Sequence, residues 1–228
     1  MDAVESSNGA VKDQSAVGSI FIGVLFAAVV TKILDLSTSS ATAGVGKAQL
    51  VVAAVLTIAS WVGYHNSLNR ISYKIYFFNL PLARFAIEMS HVYLYWLVAT
   101  SAEQVKKDSP SALPEAVLLT VVFGSYICWD QVALAMRKSH SYADLKMSED
   151  KPRRRNVTVT FFAVFAVLIV PAAFVRSDGF VVALDSIFAI LLILHRAAQH
   201  YVTDSTHRNP TGKSSKKTMR AGKLSEAA

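Results

Sequence analysis

The sequence has few charged residues and a single cysteine. Asp, Glu, Lys and Arg make up 17% of its 228 residues, whereas a soluble domain usually carries about a quarter. Cys128 is the only cysteine, which excludes an internal disulfide framework. The chain also lacks a Gly-rich phosphate loop, the Cys/His spacing of zinc sites and a nucleophile elbow. We therefore expect neither an enzyme nor a protein that holds a metal ion or another cofactor.

Apolar residues are abundant: they make up 53% of the chain and give a mean hydropathy of +0.37. They are concentrated in six stretches, each long enough to cross a hydrocarbon core of about 30 Å as a helix that rises about 1.5 Å per residue. The pattern predicts an all-α, polytopic membrane protein with six transmembrane helices. The predicted spans are residues 15–36, 48–66, 78–101, 113–136, 157–175 and 180–198.

Polar segments flank the predicted transmembrane domain, residues 15–201, on both sides. Residues 1–14 form a polar N-terminal tail. Residues 202–228 are rich in Thr, Ser and Lys and contain almost no large apolar residue. Such a segment buries too little apolar surface to offset its ordering entropy, so a disordered, basic C-terminal tail is predicted.

The basic residues are distributed unevenly along the chain. With six spans, 17 of the 23 Lys and Arg residues fall on one side of the membrane and five on the other. The positive-inside rule then places both termini in the cytoplasm of a multi-pass inner-membrane protein. The cluster Arg153, Arg154 and Arg155 is expected to bind anionic lipid at the cytoplasmic face or a cytoplasmic protein partner. No nucleic-acid binding is expected, because membrane topology already accounts for the basic loop and tail.

Small residues recur at every fourth position of the first span, from Ser15 to Thr31. Small side chains let membrane helices approach closely. The stripe therefore indicates either packing against a neighbouring span or a position along the central axis of a homo-oligomer. In the second case the pore or gate residues are Ser19, Ile20, Gly23, Val24, Ala27 and Thr31, with Phe26 as a further apolar gate residue.

Ionisable residues inside membrane spans are costly and are therefore candidate functional residues. Here they are Arg84, Glu88, His91, Asp130 and Asp185. Arg84 and Glu88 are four residues apart on one helix face, and Asp130 lies at a similar depth on the fourth span. These three are predicted to form a buried triad, which would either hold two helices together or act as a conformational latch or part of an ion pathway. Glu88 and His91 also have the spacing of a di-iron half-site, but no second copy accompanies them.

Aromatic residues near the span ends, including Trp61, Tyr95 and Trp129, are typical of interfacial belts. His195 lies close to the predicted cytoplasmic edge, where histidine is commonly interfacial.

Two segments resemble a known family. Residues 26–36 read FAAVVTKILDL, and residues 61–66 read WVGYHN, followed by FNL at 78–80. They are similar to the first span, the Trp/His segment and the start of the third span in small prokaryotic relatives of the endosomal/lysosomal potassium channel family. Where that family has a Phe-Ser-Asp signature, this chain reads FIGVL at 21–25. The resemblance implies six spans and an oligomeric cation channel lined by the first span.

These observations favour a homo-oligomeric, channel-like membrane protein that passes small ions. The alternative is a non-conducting anchor or sensor subunit of a signalling or anti-phage defence system, whose basic loop and tail bind a cytoplasmic partner. A small transporter is less well supported, because the sequence has no inverted repeat.

Overall fold

The computed structural model describes residues 2–39, 42, 44–68, 80–104, 110–138 and 151–208 of the chain. These residues form six α-helices and one short 3-10 turn, Ala102–Gln104. The all-helical fold expected from the sequence is confirmed. The helices are α1 (Asp2–Thr38), α2 (Gly44–Leu68), α3 (Leu80–Ser101), α4 (Leu113–Lys138), α5 (Lys151–Phe174) and α6 (Asp178–Arg208).

The described residues of each predicted span lie in one helix, except Val175, which follows the end of α5, and the first and last helices extend further than their spans. α1 begins at Asp2, so residues 2–14 of the polar segment are helical and continuous with the first apolar stretch. α6 ends at Arg208, so residues 202–208 of the segment predicted to be disordered are helical. The rest of that tail, residues 209–228, lies outside the described part of the chain.

Five of the described helices are long and apolar enough to cross a membrane, which indicates a membrane-embedded protein. α3 is not among them. Its 22 residues include Arg84, Glu88 and His91, which lower its mean hydropathy. The apolar segments lie at Ile20–Thr38, Gly44–His65, Leu113–Met136, Arg153–Phe174 and Asp178–Val202.

Consecutive helices run in opposite directions. Glu88 of α3 contacts Trp129 of α4, and Tyr95 of α3 contacts Tyr126, so residue numbers rise along one helix as they fall along the other. α5 and α6 show the same relation, whereas α1 runs parallel to α3. The contacts are Thr158–Gln199 and Phe165–Phe188 for α5 and α6, and Phe26–Tyr95 and Lys32–Glu103 for α1 and α3.

This alternation gives the bundle two ends. At one end, called the short-loop end below, α1, α3 and α5 end and α2, α4 and α6 begin. At the other end, called the basic end below because Arg153, Arg154 and Arg155 lie there, α2 and α4 end and α3 and α5 begin. Between the ends, α4 packs against α3 and α5, α2 packs against α6, and α1 packs against α2 and α3.

The helices share one main hydrophobic core, to which α1 contributes one face. Ile22, Phe26, Val29 and Ile33 are buried, and they follow the three- and four-residue spacing of a single helix stripe. Over residues 20–38 the opposite face of α1 is exposed, so this part of the helix packs against the bundle along one side only.

Pro171 lies inside α5, where the sequence predicts a kink or an early end of the helix. The helix ends at Phe174, and the backbone nitrogen of Val175 donates to the carbonyl of Pro171 over 3.1 Å. The helix thus stops within one turn of the proline.

Candidate functional site

The exposed face of α1 carries most of the predicted pore or gate residues. Ile20, Val24, Ala27 and Thr31 are all exposed and form one stripe along the helix. The hydroxyl of Thr31 donates to the carbonyl of Ala27 over 2.9 Å, so it is satisfied within its own helix. The side chain of Ser19 lies outside the described part of the chain. The stripe is not covered by the described residues of its own chain, so it faces either lipid or another protein subunit.

Gly23 and Phe26 lie on the face of α1 that packs against the bundle, not on this exposed stripe. A Cβ atom on Gly23 would lie 3.6 Å from Trp61 of α2. Phe26 is buried, with its ring centroid 5.1 Å from that of Trp61 and 5.8 Å from that of Tyr95. The prediction that Phe26 is an apolar gate residue together with Ile20 and Val24 does not fit its burial inside the protomer, because two residues turn an α-helix by about 200° and place Phe26 on the other face from Val24.

Arg84 is buried, with 2% of its surface exposed. Its positive charge interacts with the carboxylate of Glu88 and with the ring of Trp129. Its Nε donates to Oε1 of Glu88 over 3.1 Å, the pairing expected from their four-residue spacing. Nε1 of Trp129 donates to the same oxygen over 3.0 Å. The guanidinium carbon also lies 4.3 Å from the centre of the Trp129 ring, a cation–π contact. The three side chains join α3 to α4.

Asp130 follows Trp129 on α4 and is half-buried. Trp129 supplies contacts from α4 to both Arg84 and Glu88. The predicted triad of Arg84, Glu88 and Asp130 stays a prediction, to which the structure adds Trp129 as a further α4 partner of the ion pair.

A group of hydroxyls joins α2, α3 and α4 near the middle of α4. The hydroxyl oxygen of Tyr126 lies 2.8 Å from Oγ of Ser60 and 2.7 Å from the hydroxyl oxygen of Tyr95. His91 is buried and packs edge-on against Tyr126, with ring centroids 4.7 Å apart. Its Nε2 has no hydrogen-bond partner among the described residues.

A second polar group joins α5 to α6 towards the basic end. Nε2 of Gln199 lies 3.0 Å from Nε2 of His195 and 3.3 Å from Oγ1 of Thr158. Nη1 of Arg196 donates to Oε1 of Gln199 over 3.3 Å. A Cβ atom on Gly63 of α2 would lie 2.6 Å from that Nη1, so the glycine leaves the space that the guanidinium fills.

Asp185 of α6 is buried at the short-loop end against a second carboxyl, that of Glu115 on α4. Their exposed fractions are 1% and 0%. The two groups are close enough for each to act on the charge of the other. The two carboxyls lie within hydrogen-bonding distance of each other, and no N–H or O–H group of another described residue donates to their four oxygens.

The predicted basic cluster lies at the start of α5. Arg153 is exposed, whereas Arg154 and Arg155 are half-buried. The charge of Arg154 acts on His195 and Arg196 of α6. Arg153 is thus the member of the cluster most accessible to lipid or to a partner.

Several buried polar residues were missed by the sequence-based reasoning. Glu115 was missed because an acidic residue in the first turn of a helix usually complements the helix dipole. Its place within the apolar stretch 113–136 was the available signal. Tyr95, Trp129 and His195 were assigned to the membrane interface, yet Tyr95 and His195 are buried and Trp129 contacts the ion pair.

Among the described residues, no three or more His, Cys, Asp and Glu side chains are grouped so as to hold a metal ion. Comparison of the chain with protein-family models, with curated proteins and with solved structures finds no match. The proposals below therefore depend on the residues and their geometry.

Proposed function

We propose that this chain is a multi-pass protein of the cell inner membrane with six spans and both termini in the cytoplasm. α3 is the sixth span in this proposal. Its 22 residues give a length of about 33 Å, and its buried Arg84 and Glu88 neutralise each other. The alternating helix directions and the excess of Lys and Arg at the basic end support the orientation.

Within that arrangement, we infer a homo-oligomeric channel for small ions, with the exposed stripe of α1 at the central axis. The observation that carries this inference is the stripe itself, which combines the large apolar Ile20 and Val24 with the small Ala27 and Thr31 and is not covered by the described residues of the protomer. Small side chains allow close approach of helices around an axis. Rings of Ile20 and Val24 would form a hydrophobic constriction that gates by dewetting.

The resemblance of residues 26–36 to the first span of the potassium channel family supports the same position for α1. The Ser-Asp pair of the family signature is replaced by other residues in FIGVL at 21–25. We therefore propose conduction of small ions without assigning a selectivity for potassium.

Disulfide cross-linking tests the position of α1. Val24→Cys is made in a Cys128→Ser background, because Cys128 is exposed and would react itself. Oxidation in the membrane should then link protomers through position 24. Val167→Cys on α5 is the matched control, since Val167 and Val24 are 68% and 61% exposed. Equal cross-linking of the two variants, or none of Val24→Cys, would contradict an oligomer centred on α1.

Electrical recording tests conduction. Purified full-length protein in planar bilayers should give discrete currents. Val24→Ser should raise the open probability, because a hydroxyl lowers the cost of wetting the constriction, and Ala27→Phe should reduce the current. Val167→Phe, on another exposed helix face, should leave the current unchanged. Absence of current from folded wild-type protein under both cation and anion gradients would contradict the channel.

The alternative of a membrane anchor or sensor is favoured by one observation, the exposure of Arg153 at the basic end. In this case a soluble protein should co-purify with the wild-type chain and be released by Arg153→Gln. Asp178→Asn, at the opposite end of the bundle, is the control. Purification of the chain without any soluble partner would contradict the alternative.

A further inference from the structure

Two arginines on different helices approach each other at the basic end. Thr158 lies one turn after Arg154 on α5, and its Oγ1 accepts a hydrogen bond from Nε2 of Gln199 on α6 over 3.3 Å. Oε1 of Gln199 in turn accepts a hydrogen bond from Nη1 of Arg196 over 3.3 Å. The charge of Arg154 is close enough to act on that of Arg196. The contact between α5 and α6 therefore holds two positive charges near each other.

The guanidinium group of Arg196 also reaches α2, because a glycine leaves room for it. A Cβ atom on Gly63 would lie 2.6 Å from Nη1 and 2.9 Å from both Cζ and Nη2 of Arg196. The guanidinium group thus lies against the backbone of α2, in space that a larger residue at position 63 would fill. Arg196 is half-buried there, so part of its side chain remains open to a ligand.

No carboxylate acts on Arg196 within the described part of the chain. The groups that do so are the guanidinium group of Arg154 and the hydroxyl of Tyr126. The neighbouring His195 is likewise influenced by Arg196 and Arg154 and by no acidic residue described here. Two positive charges that are partly removed from water repel each other. A bound anion would offset this repulsion.

The depth of these residues in the bundle indicates where the anion comes from. The apolar segments of the three helices are Gly44–His65, Arg153–Phe174 and Asp178–Val202. Gly63 and Arg154 lie within two residues of the basic ends of their segments. Arg196 lies six residues, or about 9 Å, before Val202, and a long arginine side chain can extend towards the membrane surface. The site is therefore at the level where the hydrocarbon core of a bilayer meets the lipid headgroups.

We propose that Arg154 and Arg196 bind the phosphate group of an anionic membrane lipid between α2, α5 and α6. Arginine binds phosphate through paired N–H···O hydrogen bonds, and basic pockets between membrane helices suit anionic headgroups. Ile193 lies one turn before Arg196, further into the bilayer, and is 56% exposed, which gives apolar surface to an acyl chain. The site requires only that these helices lie in a membrane, and it does not depend on whether the protein conducts ions.

Thermal unfolding of the purified full-length protein tests the site. The protein is delipidated in detergent and then titrated with phosphatidylglycerol, with phosphatidylcholine of the same acyl chains, or with sodium phosphate at constant ionic strength. A ligand that binds only the folded state raises the unfolding midpoint, and at a hundredfold excess over Kd the rise should be about 5 °C or more. Phosphatidylglycerol should give a saturable rise of this size, phosphatidylcholine a smaller one, and inorganic phosphate none.

Variants separate a defined site from general attraction to a basic surface. Arg196→Gln and Arg154→Gln should each weaken the apparent affinity for phosphatidylglycerol by about tenfold or more. Arg153→Gln, the matched control, removes the same charge from the exposed neighbouring position and should change the affinity by less than about twofold. Gly63→Ala leaves the charge unchanged but displaces the guanidinium group of Arg196, so it should weaken binding by up to about tenfold.

Three results would overturn the proposal. The first is a rise with phosphatidylglycerol that is no larger than the rise with phosphatidylcholine. The second is an equal, saturable rise with inorganic phosphate, which would indicate a soluble anion instead of a lipid. The third is an equal loss of affinity in Arg153→Gln and Arg196→Gln, which would indicate attraction to surface charge alone. Should Arg196→Gln fail to fold, Arg154→Gln and Gly63→Ala decide, and an unchanged lipid affinity in both would contradict the site.

Discussion

The guanidinium carbon of Arg84 lies 4.3 Å from the centre of the Trp129 ring, on the neighbouring helix. Trp129 also donates a hydrogen bond to Glu88, the partner of Arg84. A single indole thus contacts both members of a buried ion pair. This arrangement explains how α3, which is not among the five helices with an apolar segment long enough to cross a membrane, can hold a charge inside the bundle.

The first prediction concerns the ion pair. Glu88→Ala should lower the free energy of unfolding by about 3–5 kcal/mol, because it leaves the buried Arg84 without its carboxylate. The double variant Arg84→Ala/Glu88→Ala should lose less than the sum of the single changes. Reversible unfolding in micelles measures all of these variants.

A matched control is the ion pair between Lys32 and Glu103, in which the Glu103 side chain is 47% exposed. Glu103→Gln should change the free energy of unfolding by less than about 1 kcal/mol. Additive effects of Arg84→Ala and Glu88→Ala would contradict a coupled buried pair.

The second prediction separates the two roles of Trp129. Trp129→Phe keeps an aromatic ring below Arg84 but removes the hydrogen bond to Glu88, so the free energy of unfolding should fall by about 1 kcal/mol. Trp129→Leu removes the ring as well and should cost about 1–2 kcal/mol more. Asp130→Asn, at the next position, should cost less than Trp129→Leu. A larger effect of Asp130→Asn would favour the triad with Asp130 predicted from the sequence.

The third prediction concerns the buried hydroxyl group of Tyr126. Tyr126→Phe removes the hydroxyl that bonds both Ser60 and Tyr95, and should lower the free energy of unfolding by about 1–3 kcal/mol. Ser60→Ala and Tyr95→Phe each remove one bond and should cost about 0.6 kcal/mol, an average for hydrogen bonds between membrane helices. Chemical unfolding of the three variants gives this order. Equal effects in all three would show that Tyr126 is not the shared member.

The fourth prediction compares two glycines. A Cβ atom on Gly46 would lie 2.6 Å from the backbone carbonyl oxygen of Ala102, which cannot move without shifting the 3-10 turn. Gly46→Ala should therefore lower the free energy of unfolding by about 1–3 kcal/mol.

The control for this comparison is Gly124, where a Cβ atom would meet Phe162 at an ordinary 3.5 Å. Gly124→Ala should leave stability unchanged or raise it by up to about 1 kcal/mol, because alanine favours a helix interior. A tolerated Gly46→Ala would argue against the close approach of α2 to Ala102.

The helices could be predicted from the sequence because the hydrocarbon core of a membrane sets a minimum length for apolar runs. The pairing of Arg84 with Glu88 could also be predicted, since a four-residue spacing brings two side chains together within one helix. Both predictions use only local information.

Contacts between helices could not be predicted in the same way. The sequence shows that Trp129 and Asp130 are neighbours on α4, but not which of them faces Arg84. It also gives no sign that Glu115 meets Asp185, which is 70 positions further along the chain. Phe26 shows the same limit, because the stripe on α1 indicates two faces without stating which one the protomer buries.

The most direct test of the account is whether α3 crosses the membrane. Thr38→Cys, Glu103→Cys and Arg153→Cys are each made in a Cys128→Ser background and labelled in intact cells with a membrane-impermeant maleimide. All three native side chains are exposed. With six spans, positions 38 and 103 react from the same side and position 153 from the other. If position 103 reacts from the side opposite to position 38, α3 does not span the membrane and the six-span arrangement is wrong.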